Sequence, residues 1–197
     1  ACGTQGGRPP LDIYVCRHGT TTWNLAKRWQ GQQDTDLAPE GRAQALTTAE
    51  LLLQREPCRR ARRIFTSDLQ RARQTAEIYA ERLGCEVVVE PLLREPCLGP
   101  FEGMTQDVIY RDYADLFQCL SALGQEERLR TAYFEGLESP LATSLRAESV
   151  ATRLWDEAAT AEAVVEPVIF VTHSKVLEAL LAAVFGKFYE GVETKTC

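Results

Sequence analysis

The chain has 197 residues, of which 45% are hydrophobic and 25% are charged, and its formal net charge is −6. These values are ordinary for one globular domain and exclude a disordered or fibrous chain. The acidic balance argues against a nucleic-acid partner, whose phosphates attract a basic face. The longest apolar stretch, residues 176–185, is too short to span a bilayer and is interrupted by Glu178, so we expect no membrane partner.

Four short runs rich in β-branched residues predict strands, at residues 13–16, 63–66, 85–89 and 168–172. Helical patterns separate them, which is typical of an α/β fold with a largely parallel sheet. We predict a three-layer sandwich, with helices on both faces of the sheet, in a single domain over residues 11–197. Residues 1–10 are expected to form a flexible N-terminal segment.

The first helix is predicted to begin at Pro39, because proline suits a first helical turn. Its expected apolar face consists of Ala45, Leu46, Ala49, Leu52 and Leu53. Two later helices are predicted from about Ser149, and from Lys175 to Phe185 with Gly186 as the stop.

The helix after the second strand has the clearest pattern in the chain. Ser67 is predicted to cap it, Gln70 to complete a capping box, and Gly84 to end it. Its expected apolar stripe consists of Leu69, Ala72, Ala76, Tyr79 and Leu83.

Residues 104–145 interrupt the alternation of strands and helices. They contain two helical segments with aromatic residues, at 108–123 and 126–137, and no convincing strand. We predict an inserted helical cap, which is either a surface excursion or a lid over a site.

The arginine-rich run at residues 59–63, RRARR, lies between a predicted helix and a strand. It suits an anion or localisation patch, or solvated charge at a helix end. The position at the end of a helix favours solvated charge.

The seven cysteines are Cys2, Cys16, Cys58, Cys85, Cys97, Cys119 and Cys197. Their odd number and the absence of a CxxC pair indicate reduced thiols rather than a disulfide framework or a zinc site. We therefore expect a cytoplasmic location, although a first residue other than Met leaves a removed targeting segment open.

Polar side chains follow all four predicted strands, where ligands of open α/β sheets bind. In strand order they are Arg17 and His18, Ser67 and Arg71, Arg94 and Glu95, and His173 and Ser174. The chain has only two histidines, and both belong to this set. Each residue alone suits an ordinary strand end, but the set together favours a functional site.

The chemistry of this set favours a phosphate group over a metal ion. Adjacent arginines would repel a cation and no HExxH motif is present, which disfavours a metal site. No GxSxG elbow is present either, which disfavours a serine-histidine-acid triad. Two arginines beside a helix N-terminus are typical of phosphate binding. A neutral imidazole there can act as a nucleophile, and Glu95 can give a proton to the leaving oxygen.

Five sequence blocks resemble the histidine phosphatase superfamily, which has the phosphoglycerate-mutase-like fold. In order they are RHGTTTWN at 17–24, GQQDTDLAPEGRAQA at 31–45, TSDLQRARQTAEI at 66–78, EPCLGPFEGMT at 95–105 and VTHSKVLEALL at 171–181. The resemblance implies that His18 becomes phosphorylated and that Glu95 is the proton donor. It further implies that Arg17, Arg71 and His173 form the phosphate pocket.

The same resemblance implies weaker assignments at the rim of the pocket. Asn24, Gln30 and Gly31 resemble secondary substrate contacts. Many members have a glycine after the second histidine, whereas this chain has Ser174 and then Lys175. We expect both to contact substrate, although Lys175 taken alone is better suited to an exposed lysine in a first helical turn.

Mutases of the superfamily typically carry Glu-Arg-His-Tyr-Gly around the acid, whereas residues 95–99 read EPCLG. This difference favours a phosphatase over a mutase. We expect the phosphatase to act on a small phosphorylated metabolite and to need neither a metal ion nor a cofactor. A phosphoglycerate mutase that depends on 2,3-bisphosphoglycerate remains an alternative. So does a non-catalytic relative that binds phosphorylated ligands or proteins. The substrate and the oligomeric state stay open.

Overall fold

The computed structural model describes residues 11–160 and 165–185. The flexible segment predicted for residues 1–10, the helix stop predicted at Gly186 and the two terminal cysteines lie outside the described residues. The predicted domain, residues 11–197, likewise extends beyond them.

The described strands are β1 (Ile13–Arg17), β2 (Arg63–Thr66), β3 (Glu86–Val89) and β4 (Val168–Thr172). Their order in the sheet is β1-β4-β2-β3, and every pairing is parallel. The predicted strands and the parallel sheet are therefore confirmed. Two strand ends differ by one residue, because Arg17 belongs to β1 and Cys85 precedes β3.

The described α-helices are α1 (Thr22–Leu25), α2 (Pro39–Gln54), α3 (Gln70–Leu83), α4 (Gln106–Asp112), α5 (Ala114–Ala122), α6 (Gln125–Arg130), α7 (Pro140–Thr160) and α8 (Ser174–Phe185). Short 3₁₀ helices occupy Pro57–Arg60, Pro91–Leu93 and Gly99–Phe101. None of the described helices is long and apolar enough to cross a membrane.

Each face of the sheet carries its own core, because successive strand residues point to opposite faces. Ile169 and Val171 of β4 pack in the cluster that contains the buried residues of α2 and α3. Val168 and Phe170 pack in the cluster that contains those of α7 and α8. The predicted three-layer sandwich is thereby confirmed.

The predicted apolar face of α2 is partly wrong. Ala45, Ala49 and Leu52 are buried, but Leu46 is 46% exposed. Leu46 directly follows Ala45, so the helical rotation of about 100° per residue turns it away from the sheet.

The start of α3 also differs from the prediction. The N-cap is Leu69, whose own side chain makes no capping hydrogen bond. The Ser67 hydroxyl instead accepts the Leu69 N–H at 3.1 Å, and the Gln70 N–H donates to Asp34 Oδ1 at 2.8 Å. A carboxylate from a distant loop therefore replaces the predicted capping box. At the other end Gly84 has φ +69°, which confirms it as the helix stop.

The region predicted as a cap contains α4, α5 and α6, which are short and follow one another. Its last six residues belong elsewhere, since α7 begins at Pro140 rather than near Ser149. This long helix covers the sheet and also reaches the edge of the cap, where α6 and α7 contact each other.

Arginines of the run at residues 59–63 lie at the surface beside carboxylates. Arg60 is 3.8 Å from Glu56, and Arg63 is 3.6 Å from Glu157. These exposed pairs agree with solvated charge near a helix end.

Candidate active site

His18 and His173 meet at the carboxyl end of the sheet. The backbone N–H of His18 donates to the carbonyl of Thr172 at 2.9 Å, so the pairing of β1 with β4 continues one residue beyond the strand. This contact brings the two imidazole rings to a centroid distance of 5.3 Å. Both side chains are buried.

The ring of His18 is held in one tautomer. Its Nδ1 lies 2.7 Å from the carbonyl oxygen of Gly19, which can only accept a hydrogen bond, so Nδ1 carries the proton. Burial, followed by the charges of Arg71 and Arg17, lowers the pKa of His18 well below its usual value. The ring is therefore neutral, and Nε2 keeps its lone pair.

Two glycines bring the loop after β1 against the start of α2. A Cβ atom on Gly19 would collide with the backbone of Gly41, and a Cβ on Gly41 would collide with the backbone of Thr20. The Gly19 N–H donates to the Thr75 hydroxyl of α3 at 3.1 Å. The residue after His18 is thus fixed from two sides.

Arg71 lies at the start of α3 and is 1% exposed. Its two terminal nitrogens donate to the carbonyl oxygens of Gln33, at 2.8 Å, and Gly31, at 2.7 Å. Burial lowers its pKa to about 10, so the guanidinium remains charged at neutral pH. The loop of residues 31–33, which we call the clamp loop, thus sets the orientation of this side chain.

Four buried side-chain nitrogens lack a hydrogen-bond partner within the part of the chain that the structure describes. They are Nε of Arg17, Nε of Arg71 and both ring nitrogens of His173. Buried polar atoms are normally paired, and unpaired ones call for a functional explanation. Arg17 and Arg71 line the same cavity as His18, and the ring of His173 lies beside it. The unpaired nitrogens therefore suit the oxygens of a tetrahedral anion.

His173 is uncharged as well. Burial, followed by the charge of the Arg71 guanidinium, lowers its pKa well below the usual value. A neutral imidazole has one N–H, which can donate to an anion oxygen.

The carboxyl group of Glu95 lies at the N-terminus of α8. Its Oε2 accepts the backbone N–H of Lys175 at 3.2 Å. Burial raises the pKa of Glu95 to about 7, against the opposing charges of Arg71 and Lys175. A carboxyl group that is partly protonated at neutral pH is suited to general acid catalysis.

Arg94 pairs with side chains that do not line this site, namely those of Asp68 and Gln32. Its guanidinium makes a two-point ion pair with the carboxylate of Asp68. The sequence placed Arg94 beside Glu95 among the polar residues after the strands, but only Glu95 lines the pocket.

A cavity of about 640 Å³ opens at this edge of the sheet, and nine of the ten predicted site residues line it. They are Arg17, His18, Asn24, Gln30, Gly31, Arg71, Glu95, Ser174 and Lys175. The tenth, His173, lies beside His18. No group of three metal-ligating side chains occurs within residues 11–160 and 165–185.

Some predicted substrate contacts already have partners in the protein. The side-chain oxygen of Asn24 accepts the Thr21 N–H at 3.0 Å. That of Gln30 accepts the hydroxyls of Thr21 and Thr35 at 2.9 and 2.6 Å. Their amide oxygens therefore shape the loop, and only the amide NH₂ groups remain to bind a substrate.

Lys175 is paired at the pocket rim. Its Nζ lies 2.9 Å from Glu178 Oε2, one helical turn away. Burial acts to lower the pKa of Lys175, but Glu178 together with Tyr133 and Glu95 outweighs it and raises the pKa. The lysine therefore brings little net charge to the rim.

The sequence offered a lid as one of two roles for the cap, but it named no individual residue of the outer wall of the pocket. Residues of the cap and of α7 form part of it, among them Phe117, Arg128, Tyr133, Thr143 and Ser144. The ring of Trp29 contacts Phe101, Tyr110, Phe117 and Tyr133 at centroid distances of 5.4 to 6.2 Å. The aromatic residues concentrated between residues 101 and 134 were the available signal, and they anchor the cap over the pocket.

Comparison with known proteins agrees with this geometry. The family model of the histidine phosphatase superfamily (branch 1) matches residues 13–195. The chain is 44% identical over 97 residues to the probable phosphoglycerate mutase GpmB of Photorhabdus laumondii. The aligned segment is 49% of this chain and 43% of that protein. It is 43% identical over 100 residues to a glucosyl-3-phosphoglycerate phosphatase of Mycobacterium tuberculosis, with coverage of 51% and 43%.

The chain thus matches less than half the length of these curated relatives. Solved structures are covered more fully. The native mycobacterial glucosyl-3-phosphoglycerate phosphatase aligns with a TM-score of 0.72 and 33% identity, over 88% of this chain and 78% of that chain. Bacillus stearothermophilus YhfR aligns with a TM-score of 0.74 and 30% identity, over 89% and 80%. The family match and the site together show that the chain belongs to the histidine phosphatase superfamily.

Proposed function

We propose that this protein hydrolyses phosphomonoesters through a phosphohistidine intermediate on His18. The observation that carries the proposal is the unprotonated Nε2 of His18 beside the unpaired buried nitrogens of Arg17, Arg71 and His173. A neutral imidazole can attack phosphorus, and hydrogen-bond donors that have no partner in the protein can bind the phosphate oxygens.

In the first step Nε2 of His18 attacks phosphorus and forms the N–P bond while the bond to the ester oxygen breaks. Glu95 transfers its carboxyl proton to that oxygen, so that a neutral alcohol leaves. The arginines and His173 donate hydrogen bonds to the three other oxygens, where negative charge concentrates.

In the second step the ionised Glu95 takes a proton from a water molecule, whose oxygen attacks phosphorus. The N–P bond breaks, inorganic phosphate leaves, and Nε2 recovers its lone pair. Glu95 is again protonated, so the cycle closes with one water consumed. Two arginines supply positive charge at the phosphate, and the proposed reaction therefore needs neither a metal ion nor a cofactor.

The proposed substrate is a small phosphorylated metabolite. A 640 Å³ cavity is larger than a phosphate group requires and leaves room for an organic leaving group. The curated relatives include both a phosphatase and a probable mutase, so transfer between hydroxyls of phosphoglycerate is the second candidate. The proposed location is the cytoplasm, which the free thiols of Cys58, Cys85, Cys97 and Cys119 support.

Phosphate release from a panel of sugar phosphates, phosphoglycerates, nucleotides and phosphopeptides tests this function, with and without 2,3-bisphosphoglycerate. We expect release that does not depend on the bisphosphate and is absent in His18→Ala. Interconversion of phosphoglycerates without phosphate release would favour the mutase. Binding of phosphorylated ligands without turnover would favour the non-catalytic relative.

A further inference from the structure

Glu102 lies behind the phosphate pocket, directly after the 3₁₀ helix Gly99–Phe101, and does not line the cavity. Its Oε1 accepts the backbone N–H groups of Gln32 and Leu98, each at 2.9 Å. Its Oε2 accepts the side-chain amide of Gln33 at 3.1 Å. One carboxylate therefore joins two loops that are about 70 residues apart in the chain.

The carboxylate of Glu102 is ionised. Burial acts to raise its pKa, but the hydrogen bonds from Gln32, Leu98, Gln33 and Cys97 outweigh burial and lower it. Hydrogen bonds to an ionised acceptor are about twice as strong as bonds between neutral groups.

Glu102 is connected to Arg71 through a single peptide group. The N–H of Gln32 and the C=O of Gly31 belong to the same planar unit and point in opposite directions. The N–H is bound by Glu102, and the C=O accepts the Arg71 guanidinium at 2.7 Å. A rotation of this peptide would break both contacts, so the carboxylate fixes the direction of the carbonyl that orients the arginine.

A second contact to the same arginine depends on Glu102 as well. The carbonyl of Gln33 accepts the other terminal nitrogen of Arg71 at 2.8 Å, and the side chain of Gln33 donates to Glu102. Both carbonyl partners of Arg71 thus belong to residues that the carboxylate holds, directly or through the adjoining peptide.

The conformation of Gly31 is adapted to this contact. It has φ +51°, and a Cβ atom there would collide with Oε1 of Glu102. Glycine at this position permits both the left-handed backbone and the close approach of the carboxylate.

The loop that carries Glu95 is hydrogen-bonded to the clamp loop and to Glu102. The Gln32 side chain donates to the backbone carbonyl of Glu95 at 3.1 Å, and Leu98 follows Glu95 by three residues. A shift of the clamp loop would therefore also disturb the segment that carries Glu95.

From these contacts we propose that Glu102 is a positioning residue, which orients the Arg71 guanidinium toward phosphate through the peptide between Gly31 and Gln32. The inference rests on the proposed phosphate site. It states that a residue outside the pocket determines how the Arg71 guanidinium is oriented toward phosphate.

A double-mutant cycle on phosphate affinity tests this role. Inorganic phosphate is titrated calorimetrically into the wild type, Glu102→Gln, Arg71→Lys and the double variant. We expect Glu102→Gln to weaken phosphate binding by about 10-fold, because a charge-assisted contact depends on the orientation it loses. In the Arg71→Lys background Glu102→Gln should have almost no further effect on phosphate affinity, since lysine lacks the guanidinium that Glu102 orients.

Leu52→Ala is the matched control, because Leu52 is buried in the core near the C-terminal end of α2 and does not line the pocket. This change should lower stability while phosphate affinity stays unchanged. An equal loss of affinity from Glu102→Gln in both arginine backgrounds would overturn the proposal. So would unchanged affinity in a folded Glu102→Gln protein.

If Glu102→Gln does not fold, Gln33→Ala takes its place. It removes one donor to the carboxylate and keeps the charge, so a smaller loss of phosphate affinity is expected, and no loss would contradict the proposal. A wild type that binds phosphate but hydrolyses no ester would contradict the proposed function alone, and the cycle would still decide the role of Glu102.

Discussion

His18 and Gly19 are adjacent in the chain, and the Nδ1 of His18 donates to the carbonyl of Gly19 at 2.7 Å. The contact is local, yet it determines which ring nitrogen is left to react. Both partners directly follow strand β1, so the hydrogen bond itself involves no distant loop. The proposed nucleophile, Nε2 of His18, thus carries a free lone pair in the structure.

The first prediction concerns the intermediate on His18. Stopping the enzyme in base during turnover of a labelled phosphoester should leave label on the peptide that contains His18, because a phosphoramidate is stable to alkali. Mild acid should release this label. Peptide mapping by mass spectrometry locates it.

Two histidine variants serve as controls for this trapping. His18→Ala should abolish labelling and turnover, whereas His173→Ala should slow turnover and leave the labelled residue unchanged. Label on a cysteine or an aspartate, or no label during rapid turnover, would refute the phosphohistidine mechanism.

The second prediction concerns the leaving group. Glu95→Gln should slow hydrolysis of an alkyl phosphate by about 10² to 10⁴, the usual contribution of general acid catalysis. The loss should be much smaller for p-nitrophenyl phosphate, since nitrophenolate leaves without a proton. Equal losses for the two substrates in steady-state kinetics would point to another proton donor.

The third prediction concerns pH. Because burial raises the pKa of Glu95 to about 7, the protonated donor is present below that pH and is lost as the pH rises through it. The pKa of His18 is lowered, so its imidazole stays neutral at pH values well below the usual pKa of histidine. For an alkyl phosphate, kcat/KM should fall above pH 7.

Glu95→Gln is the control for this profile, since substrate ionisation affects both proteins equally. The ratio of wild-type to variant kcat/KM should fall as the pH rises through 7. A ratio that stays constant from pH 5 to 9 would remove Glu95 as the titrating acid.

The fourth prediction concerns metal ions. Arg17 and Arg71 already provide positive charge at the pocket, so activity should survive prolonged dialysis against EDTA. Assays with and without added Mg²⁺ or Zn²⁺ measure this. Complete loss of activity that either ion restores would contradict it.

The fifth prediction compares two glycines with positive φ. Gly84 has φ +69° and open space around it, whereas Gly31 has φ +51° and Glu102 against it. Gly84→Ala should cost about 1 kcal/mol of unfolding free energy, the strain of a left-handed residue. Gly31→Ala should cost more and should also weaken phosphate binding.

Denaturant unfolding and phosphate titration of both variants make this comparison. Equal stability losses with equal phosphate affinities would show that the Gly31 conformation has no effect on the phosphate pocket.

Local pattern was sufficient to predict the four strands and the residues that follow them. A strand is recognisable from consecutive residues, and a parallel sheet gathers the carboxyl ends of its strands at one edge. His18, Arg71, Glu95 and His173 were therefore predictable as neighbours, although 155 residues separate the two histidines.

Contacts between distant loops were not predictable in this way. The capping of α3 by Asp34, the ion pair of Arg94 with Asp68 and the hydrogen bonds of Glu102 have no periodic signature, because they depend on how loops pack after the sheet forms.

The start of α7 is a different case. Ser139 and Pro140 form a recognisable start, since the Ser139 hydroxyl accepts the Ala142 N–H at 3.3 Å and proline occupies the first turn.

The contact between Gly19 and Gly41 bears on which substitutions the chain can tolerate over evolutionary time. A side chain at position 19 would collide with the backbone of Gly41, and one at position 41 with the backbone of Thr20, whatever group is bound in the pocket. A descendant that lost His18 and its chemistry would still need both glycines to keep α2 against the end of β1. We therefore expect these two glycines to persist wherever the fold persists, and His18 to persist only where the proposed activity does.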